Sequence, residues 1–312
     1  MEAVMKVVII GSGAMGCLYG AYLSKNNEVI MLDSFEPQVE ALNANGITVL
    51  EEDGNEYNYK NVKACKSGEY HEQADLVIVF VKSTFTEDAL HDNKSLFAPH
   101  TIVMTLQNGA GNDRKIAKYV NKQNIVIGTS KHNSVNMGGG KIRHSGTGET
   151  TIGSNMDAKA TLETIENLLT QSGFKAEITD VIQRIIWSKL FVNLSVNTFT
   201  ALIQTPIGYM IKNKYAWDFA KRLIYEAVEV AEADGTYFDR REALEMVRKV
   251  CVDAGDGYSS MYQDRKRRVR MEIDAINGAI VEQAKLYGVP TPYNSLIVDL
   301  IHAVEGAYDY YD

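Results

Sequence analysis

The run Val7-Val8-Ile9-Ile10-Gly11-Ser12-Gly13-Ala14-Met15-Gly16 decides the fold of the first half of this chain. Four β-branched residues read as a buried strand, and a helical pattern, Met15–Lys25, follows the glycines at once. The spacing GxGxxG is weak by itself. Between a strand and a helix at the head of a βαβ unit it becomes specific for a dinucleotide. Gly11 permits the tight turn, Gly13 lets a pyrophosphate approach the backbone, and Gly16 lets the helix pack against the strand. The phosphates would then meet the unpaired amides of the segment Gly11 to Gly16, with Ser12, Ala14 and Met15 among them, where the helix dipole favours negative charge.

Working outward, the second strand, Glu28–Leu32, ends at Asp33, which lies 22 residues after Gly11 and 17 after Gly16. A carboxylate at that strand end accepts hydrogen bonds from both ribose hydroxyls of NAD and repels the 2′-phosphate of NADP. The next residues, Ser34-Phe35-Glu36-Pro37, contain no arginine, so NAD is favoured over NADP. The alternative role for Asp33 is a loop cap.

Further strands are expected at Leu76–Val81, Thr101–Leu106 and Ile125–Gly128, with helices between most of them (Gln38–Asn45, for example), which is the alternation of a parallel sheet covered on both faces. Beyond Gly128, Asn136–Lys141 reads as a hairpin turn. It is followed by antiparallel strands at Ile142–His144 and Glu149–Ile152, a helix over 158–171 and a last strand, Phe174–Ile178. From about Asp180 the strands stop. Helical patterns run through 181–203, 215–234, 239–253, 258–287 and 292–308, broken by Gly and Pro. The fold class is therefore α/β: a Rossmann doubly wound parallel sheet over residues 1–180, then an all-helical substrate domain over 181–312. Domains of such different grammar commonly hold a ligand between them.

The 312 residues carry 32 basic and 40 acidic side chains, a formal charge of −8, with 45% hydrophobic residues to fill two cores. The acidic balance argues against nucleic acid, whose binding comes mostly from neutralising phosphates. The basic run Arg265–Arg268 reads as a solvated helix face between Asp264 and Glu272. Cys17, Cys65 and Cys251 lie far apart without metal or disulfide spacing, so no metal is expected. No apolar stretch approaches the roughly 20 residues of a membrane span. A cytoplasmic protein is the default expectation, and the apolar faces of the helical half suit a homodimer.

Two strand ends, Val81-Lys82-Ser83-Thr84 and Leu106-Gln107-Asn108-Gly109-Ala110-Gly111, place Lys82 and Asn108 at the carboxyl edge of the sheet, where open α/β sheets bind ligands. In the helix 181–203, Lys189, Asn193 and Asn197 recur at i, i+4 and i+8 on one face of an otherwise apolar segment. A buried polar stripe needs partners, either a substrate or a neighbouring helix. A second cluster is Ser259-Ser260-Met261-Tyr262-Gln263-Asp264, followed by Glu272-Ile273-Asp274-Ala275-Ile276-Asn277-Gly278. On one straight helix Glu272 would lie about 120° round from Ser260, so the helix must curve or break if both reach one site. His132 and His144 have no evident carboxylate partner, which disfavours a histidine-based dehydrogenase.

These pieces resemble the ketopantoate reductase family from Gly11 to about the last ten residues. The matching segments are GSGAMG at 11–16, VKS at 81–83, QNGAG at 107–111, GTGETTIG at 146–153, W-S-K-L-x-x-N-x-x-x-N at 187–197, S-S-M-x-Q-D at 259–264, E-I-D-x-I-N-G at 272–278 and G-V-P-T-P-x-N at 288–294. The resemblance implies roles. Lys189 matches the general acid that protonates a carbonyl oxygen, and Glu272 the acidic residue that orients substrate and lysine. Asn193, Asn197 and Ser260 match positions that hold the substrate's carboxylate and hydroxyl groups, and Asn108 and Lys82 match positions near the nicotinamide. Asp33 is a departure, because typical members carry an arginine there and use NADPH. An NAD-using branch of the family, D-2-hydroxyacid dehydrogenases including D-mandelate dehydrogenase, acts on branched or aromatic 2-oxo acids. The implied function is NADH-dependent reduction of a 2-oxo acid bulky at C3 to the D-2-hydroxy acid. The alternatives are NADPH-dependent ketopantoate reduction for pantothenate biosynthesis, a β-hydroxyacid dehydrogenase, and a non-catalytic NAD(H)-sensing protein.

Overall fold

In the computed structural model, residues 4–310 are described. The chain forms two compact units, one taking the chain up to Gln107 together with Asn112–Ile182, the other Asn108–Gly111 and the chain from Gln183 onward.

The first unit carries twelve strands among the described residues: β1 (Lys6–Ile10), β2 (Glu28–Asp33), β3 (Ile47–Leu50), β4 (Glu56–Tyr59), β5 (Val62–Lys66), β6 (Leu76–Val79), β7 (Ile102–Thr105), β8 (Ile125–Ser130), β9 (Asn133–Gly138), β10 (Lys141–Gly146), β11 (Glu149–Gly153) and β12 (Lys175–Ile178). Eight form one sheet in the order β12-β11-β8-β7-β6-β1-β2-β5. The six strands from β5 to β8 run parallel, and β11 reverses direction beside β8. β1 is central, paired with β2 through Val7↔Val29 and with β6 through Val7↔Leu76, and its Val7–Ile10 are at most 1% exposed. Strand order reverses there, with β2 to one side of β1 and β6 to the other, so the β1 turn opens at the switch point where such sheets bind ligands.

A second sheet, β4-β3-β10-β9, packs on the helix Ala14–Leu23. The two sheets correct the sequence reading in two ways. Strands β3, β4 and β5 fill a stretch with no assignment, because they are only four or five residues long and β4 (Glu-Tyr-Asn-Tyr) is largely exposed and polar. The expected turn over Asn136–Lys141 is narrower: β9 runs to Gly138 and β10 starts at Lys141, with Gly139 and Gly140 in the left-handed region. β10 and β11 do not pair with each other but part into different sheets.

The second unit is helical. Its core gathers Trp187, Phe191, Leu194, Ile224, Phe238, Met261 and Ile276 around the long helix Lys214–Ala233. That helix starts where Asn213 Oδ1 accepts the amides of Tyr215 and Ala216, and its buried stripe of Ala216, Ala220, Leu223, Ala227 and Ala231 is small enough for close neighbours. The single helix expected over 258–287 is three pieces: Ser260–Lys266, a π-turn at Asp274–Gly278 and Ala279–Tyr287. Arg268 at φ 55 ends the first piece, Val269 N–H reaches back to Asp264 O and Arg268 N–H to Arg265 O. That is a Schellman ending with arginine where glycine is usual, which is why no break was legible there. Among the described residues no helix is long and apolar enough to cross a membrane.

Candidate functional site

In the first unit, Gly11 at φ +103 turns the chain so closely over β6 that a Cβ would lie 2.6 Å from Val81 N and 2.8 Å from Phe80 C. A Cβ on Gly16 would lie 1.9 Å from Gly11 O, so helix and turn touch through backbone alone. Gly13 differs: a Cβ there meets nothing within 4 Å. The protein does not need a glycine at 13 for its own packing. The open space lies at the N-cap of Ala14–Leu23, where no side chain caps the helix and the amides of Ala14, Met15 and Gly16 have no intrahelical partner. Dinucleotide phosphates fit this cradle.

Asp33 ends β2 with its carboxylate fixed twice, Oδ2 accepting Ser12 N–H at 2.7 Å and Oδ1 accepting Phe35 N–H at 3.0 Å. It is thus both the loop cap and a carboxylate beside the glycine turn, with lone pairs left for two hydroxyls. Gln38, buried beneath, donates to Ser12 O at 2.9 Å and braces the turn. Lys82 is exposed just after β6, ahead of a 3₁₀ turn at Ser83–Phe85. Gln107, unnoticed among the motif letters, ties the β6 and β7 loops together by donating to Val81 O and to Thr86 Oγ1 at 2.5 and 2.9 Å.

The other candidates belong to the second unit. The helix Ile182–Val192 carries Lys189 and widens into a π-turn at Asn193–Asn197. Four residues overshoot a 3.6-residue turn by about 40°, so a continuous α-helix would carry Asn197 about 80° away from Lys189. The wider turn recovers part of that drift, and Asn197 Nδ2 donates to Asn193 Oδ1 at 3.3 Å and to Ser260 Oγ at 3.4 Å. Asn193, Asn197 and Ser260 are thereby one polar group. Freed π-turn carbonyls find side chains: Asn277 Nδ2 and Thr198 Oγ1 both donate to Leu194 O.

Asn108 donates to Glu272 Oε2 at 3.2 Å. Gly109 makes this approach possible, since at φ +93 a Cβ would stand 2.4 Å from Ala275 O in the π-turn after Glu272. Burial pushes the Lys189 ammonium below its ordinary pKa, and the nearby Glu272 carboxylate pushes it back up. Lys189, Glu272 and Asn108 form the second group. The helix breaks at Arg268 rather than curving, and beyond the break Glu272 meets Asn108.

Two minor expectations are corrected. His144 does have a carboxylate partner: its Nδ1 lies 2.7 Å from Glu51 Oε2 and its Nε2 3.0 Å from His132 Nδ1, buried between the second sheet and the helix Ala14–Leu23. The basic run is no uniform solvated face, because Arg265 caps the helix Thr198–Ile203 by donating to Ala201 O and Leu202 O.

The fold and these two clusters define a dinucleotide-linked oxidoreductase. The ketopantoate reductase PanE/ApbA model matches residues 7–157, and the model of that family's C-terminal part matches 181–305. The 2-dehydropantoate 2-reductase of Streptococcus pyogenes serotype M18 is 33% identical over 307 residues, covering 96% of this chain and 98% of that protein. The one from Lactococcus lactis is 32% identical at the same coverage. Among solved structures, a ternary complex of D-mandelate dehydrogenase with NADH and anilino(oxo)acetate aligns with a TM-score of 0.87 at 31% identity, covering 98% of this chain and all of that one. The chain belongs to the ketopantoate reductase family, NAD(P)-dependent oxidoreductases acting on CH–OH donors.

Proposed function

We propose that this enzyme reduces a 2-oxo acid branched or bulky at C3 to the D-2-hydroxy acid and takes NADH in preference to NADPH. The observation that carries the reading is Asp33. Its carboxylate is locked against the glycine turn by two backbone amides, in the position from which it would accept the ribose hydroxyls and repel a 2′-phosphate. Gly11 to Gly16, with Ser12, Ala14 and Met15, would hold the pyrophosphate, and Lys82 the nicotinamide end. When bound, the nicotinamide supplies the hydride. The similarity to a D-mandelate dehydrogenase solved with NADH supports both halves of the reading.

Lys189 Nζ gives its proton to the carbonyl oxygen as negative charge develops there. Burial makes it a stronger acid than an ordinary lysine, and the Glu272 carboxylate opposes that shift by favouring the ammonium. Asn108 holds Glu272 in place. Asn193, Asn197 and Ser260, already hydrogen-bonded into one group, supply the amides and hydroxyl that hold the substrate's carboxylate and its hydroxyl groups. The second reading, NADPH-dependent reduction of 2-dehydropantoate, is favoured by the names of the curated relatives.

The test is steady-state kinetics with NADH and NADPH against ketopantoate, 2-oxoisovalerate and benzoylformate. At least tenfold higher kcat/KM with NADH is expected, and a strong NADPH preference would refute the role of Asp33. A large preference for ketopantoate would favour the second reading. Lys189→Ala should lower kcat by about 10²–10⁴-fold with NADH affinity retained; unchanged turnover would remove Lys189 from the chemistry.

A further inference from the structure

Glu272 sits in a short irregular segment, Met271–Ile273, between the Schellman ending at Arg268 and the π-turn Asp274–Gly278. Asn108 meets its carboxylate and the amides of Ala275 and Ile276 meet its carbonyl, while the backbone just before it is held by the helix Pro292–Gly306. Glu305 on that helix spends one oxygen on the segment's backbone, Oε1 accepting Met271 N–H at 2.6 Å. Its other oxygen, Oε2, lies 3.1 Å from His302 Nδ1. His302 Nε2 lies 2.8 Å from Asp274 Oδ1, on the far side of Glu272. Both ring nitrogens therefore face carboxylates. A neutral imidazole has one N–H and could serve only one of them, setting a lone pair against the other carboxylate; only the imidazolium donates to both.

We propose that His302, as the imidazolium, is a positioning residue that clamps the segment Met271–Asp274 to the C-terminal helix and so sets where the Glu272 carboxylate stands. The inference rests on the role given to Glu272 under the proposed function. The charged groups around the ring are Asp274 and Glu305, both anionic, and Arg270, which also donates to Asp274 Oδ2 at 3.2 Å. Beyond Glu305, burial first and the Glu305 charge second raise the Tyr308 hydroxyl pKa, while from the helix Ser260–Lys266 Arg265 lowers it and Asp264 raises it. The two carboxylates outweigh the ring's partial burial and hold His302 above the ordinary histidine value of 6.5. The clamp is complete below 6.5 and is released as pH rises through the elevated value. Reduction then loses a carboxylate held in register, and misplacement of a positioning group costs on the order of tenfold or more.

The experiment follows the His302 Cε1–H resonance against pH in the full-length protein, alongside kcat/KM for 2-oxo acid reduction. His302 is expected to titrate above 6.5, and to fall towards it in Asp274→Asn and in Glu305→Gln. His302→Gln should lower kcat/KM about tenfold at pH 6, mainly through kcat, and remove the activity step that coincides with the resonance shift; His302→Arg, a cation at every pH, should restore most of the loss. A His302 that titrates at or below 6.5, or a His302→Gln enzyme within twofold of the parent across the profile, overturns the clamp. Glu272→Gln is the separate control. Unchanged turnover there overturns the role of Glu272 and the catalytic consequence of the clamp with it, whereas the resonance titration fails only if the clamp itself is absent.

Discussion

Gly13→Ala separates what the glycine turn does for the protein from what it does for a ligand. At φ −71 and ψ −166 the Gly13 backbone is open to any residue, and its Cβ would meet nothing within 4 Å. Alanine gains about 0.4–1 kcal/mol by restricting the unfolded chain. It loses a few tenths or more because glycine is the better N-cap. Stability should therefore hold to within about 1 kcal/mol, a thermal midpoint shift of no more than about 4 °C. Binding is another matter. The methyl fills the space through which a pyrophosphate reaches the helix amides, and losing one charge-assisted hydrogen bond costs about 1.5–3 kcal/mol, or roughly 10- to 100-fold in Kd. The assay pairs an NADH fluorescence titration with thermal unfolding of the cofactor-free protein. Gly16→Ala is the contrast: its Cβ falls 1.9 Å from Gly11 O, so it should fold poorly rather than bind poorly. NADH affinity unchanged in Gly13→Ala, or a loss of stability like that of Gly16→Ala, would refute the argument.

Lys189 should impose an alkaline limb on kcat/KM for reduction. Because burial lowers its pKa from the ordinary 10.5, the proton to be donated is lost below that pH, and the rate falls as pH rises through the lowered value. Oxidation of the hydroxy acid, which needs the free amine, should rise over the same range. Glu272→Gln removes the charge that raises the lysine, so the limb should move to lower pH; a limb that moves up contradicts the pairing. In the helical core, Asn277 is 0% exposed and its Nδ2 serves both Leu194 O and Asn294 Oδ1. Asn277→Ala strands the Asn294 acceptor and leaves a small void, so chemical denaturation should show a loss of about 3 kcal/mol; a loss below about 1 kcal/mol would show that the two π-turns do not depend on it.

Much of this was legible in the chain itself, and the reason is locality. A GxGxxG turn, the strand before it and the carboxylate at the next strand end are statements about backbone conformation within a few dozen residues, and glycine, β-branched runs and strand ends carry that information directly. Gly11, Gly13, Gly16 and Asp33 stand where the pattern puts them. The polar stripe Lys189, Asn193 and Asn197 was visible for the same reason.

What the tertiary structure decided were the matters that no local pattern encodes. The second sheet joins β3 and β4 to β9 and β10 across some ninety residues, as in Thr48↔Lys141, through strands too short and too polar to announce themselves. The helix read as continuous from 258 to 287 ends at Arg268, in a left-handed conformation that glycine would have advertised and arginine conceals. That break places Glu272 against Asn108, and the wide turn at Asn193–Asn197 draws Asn197 to Ser260, so the site depends on two irregularities that periodicity assumes away. Helical and strand periods report where a residue faces along its own element. Which elements meet, and where one is bent so that they can, is settled by packing and by the carbonyls that packing leaves to be satisfied.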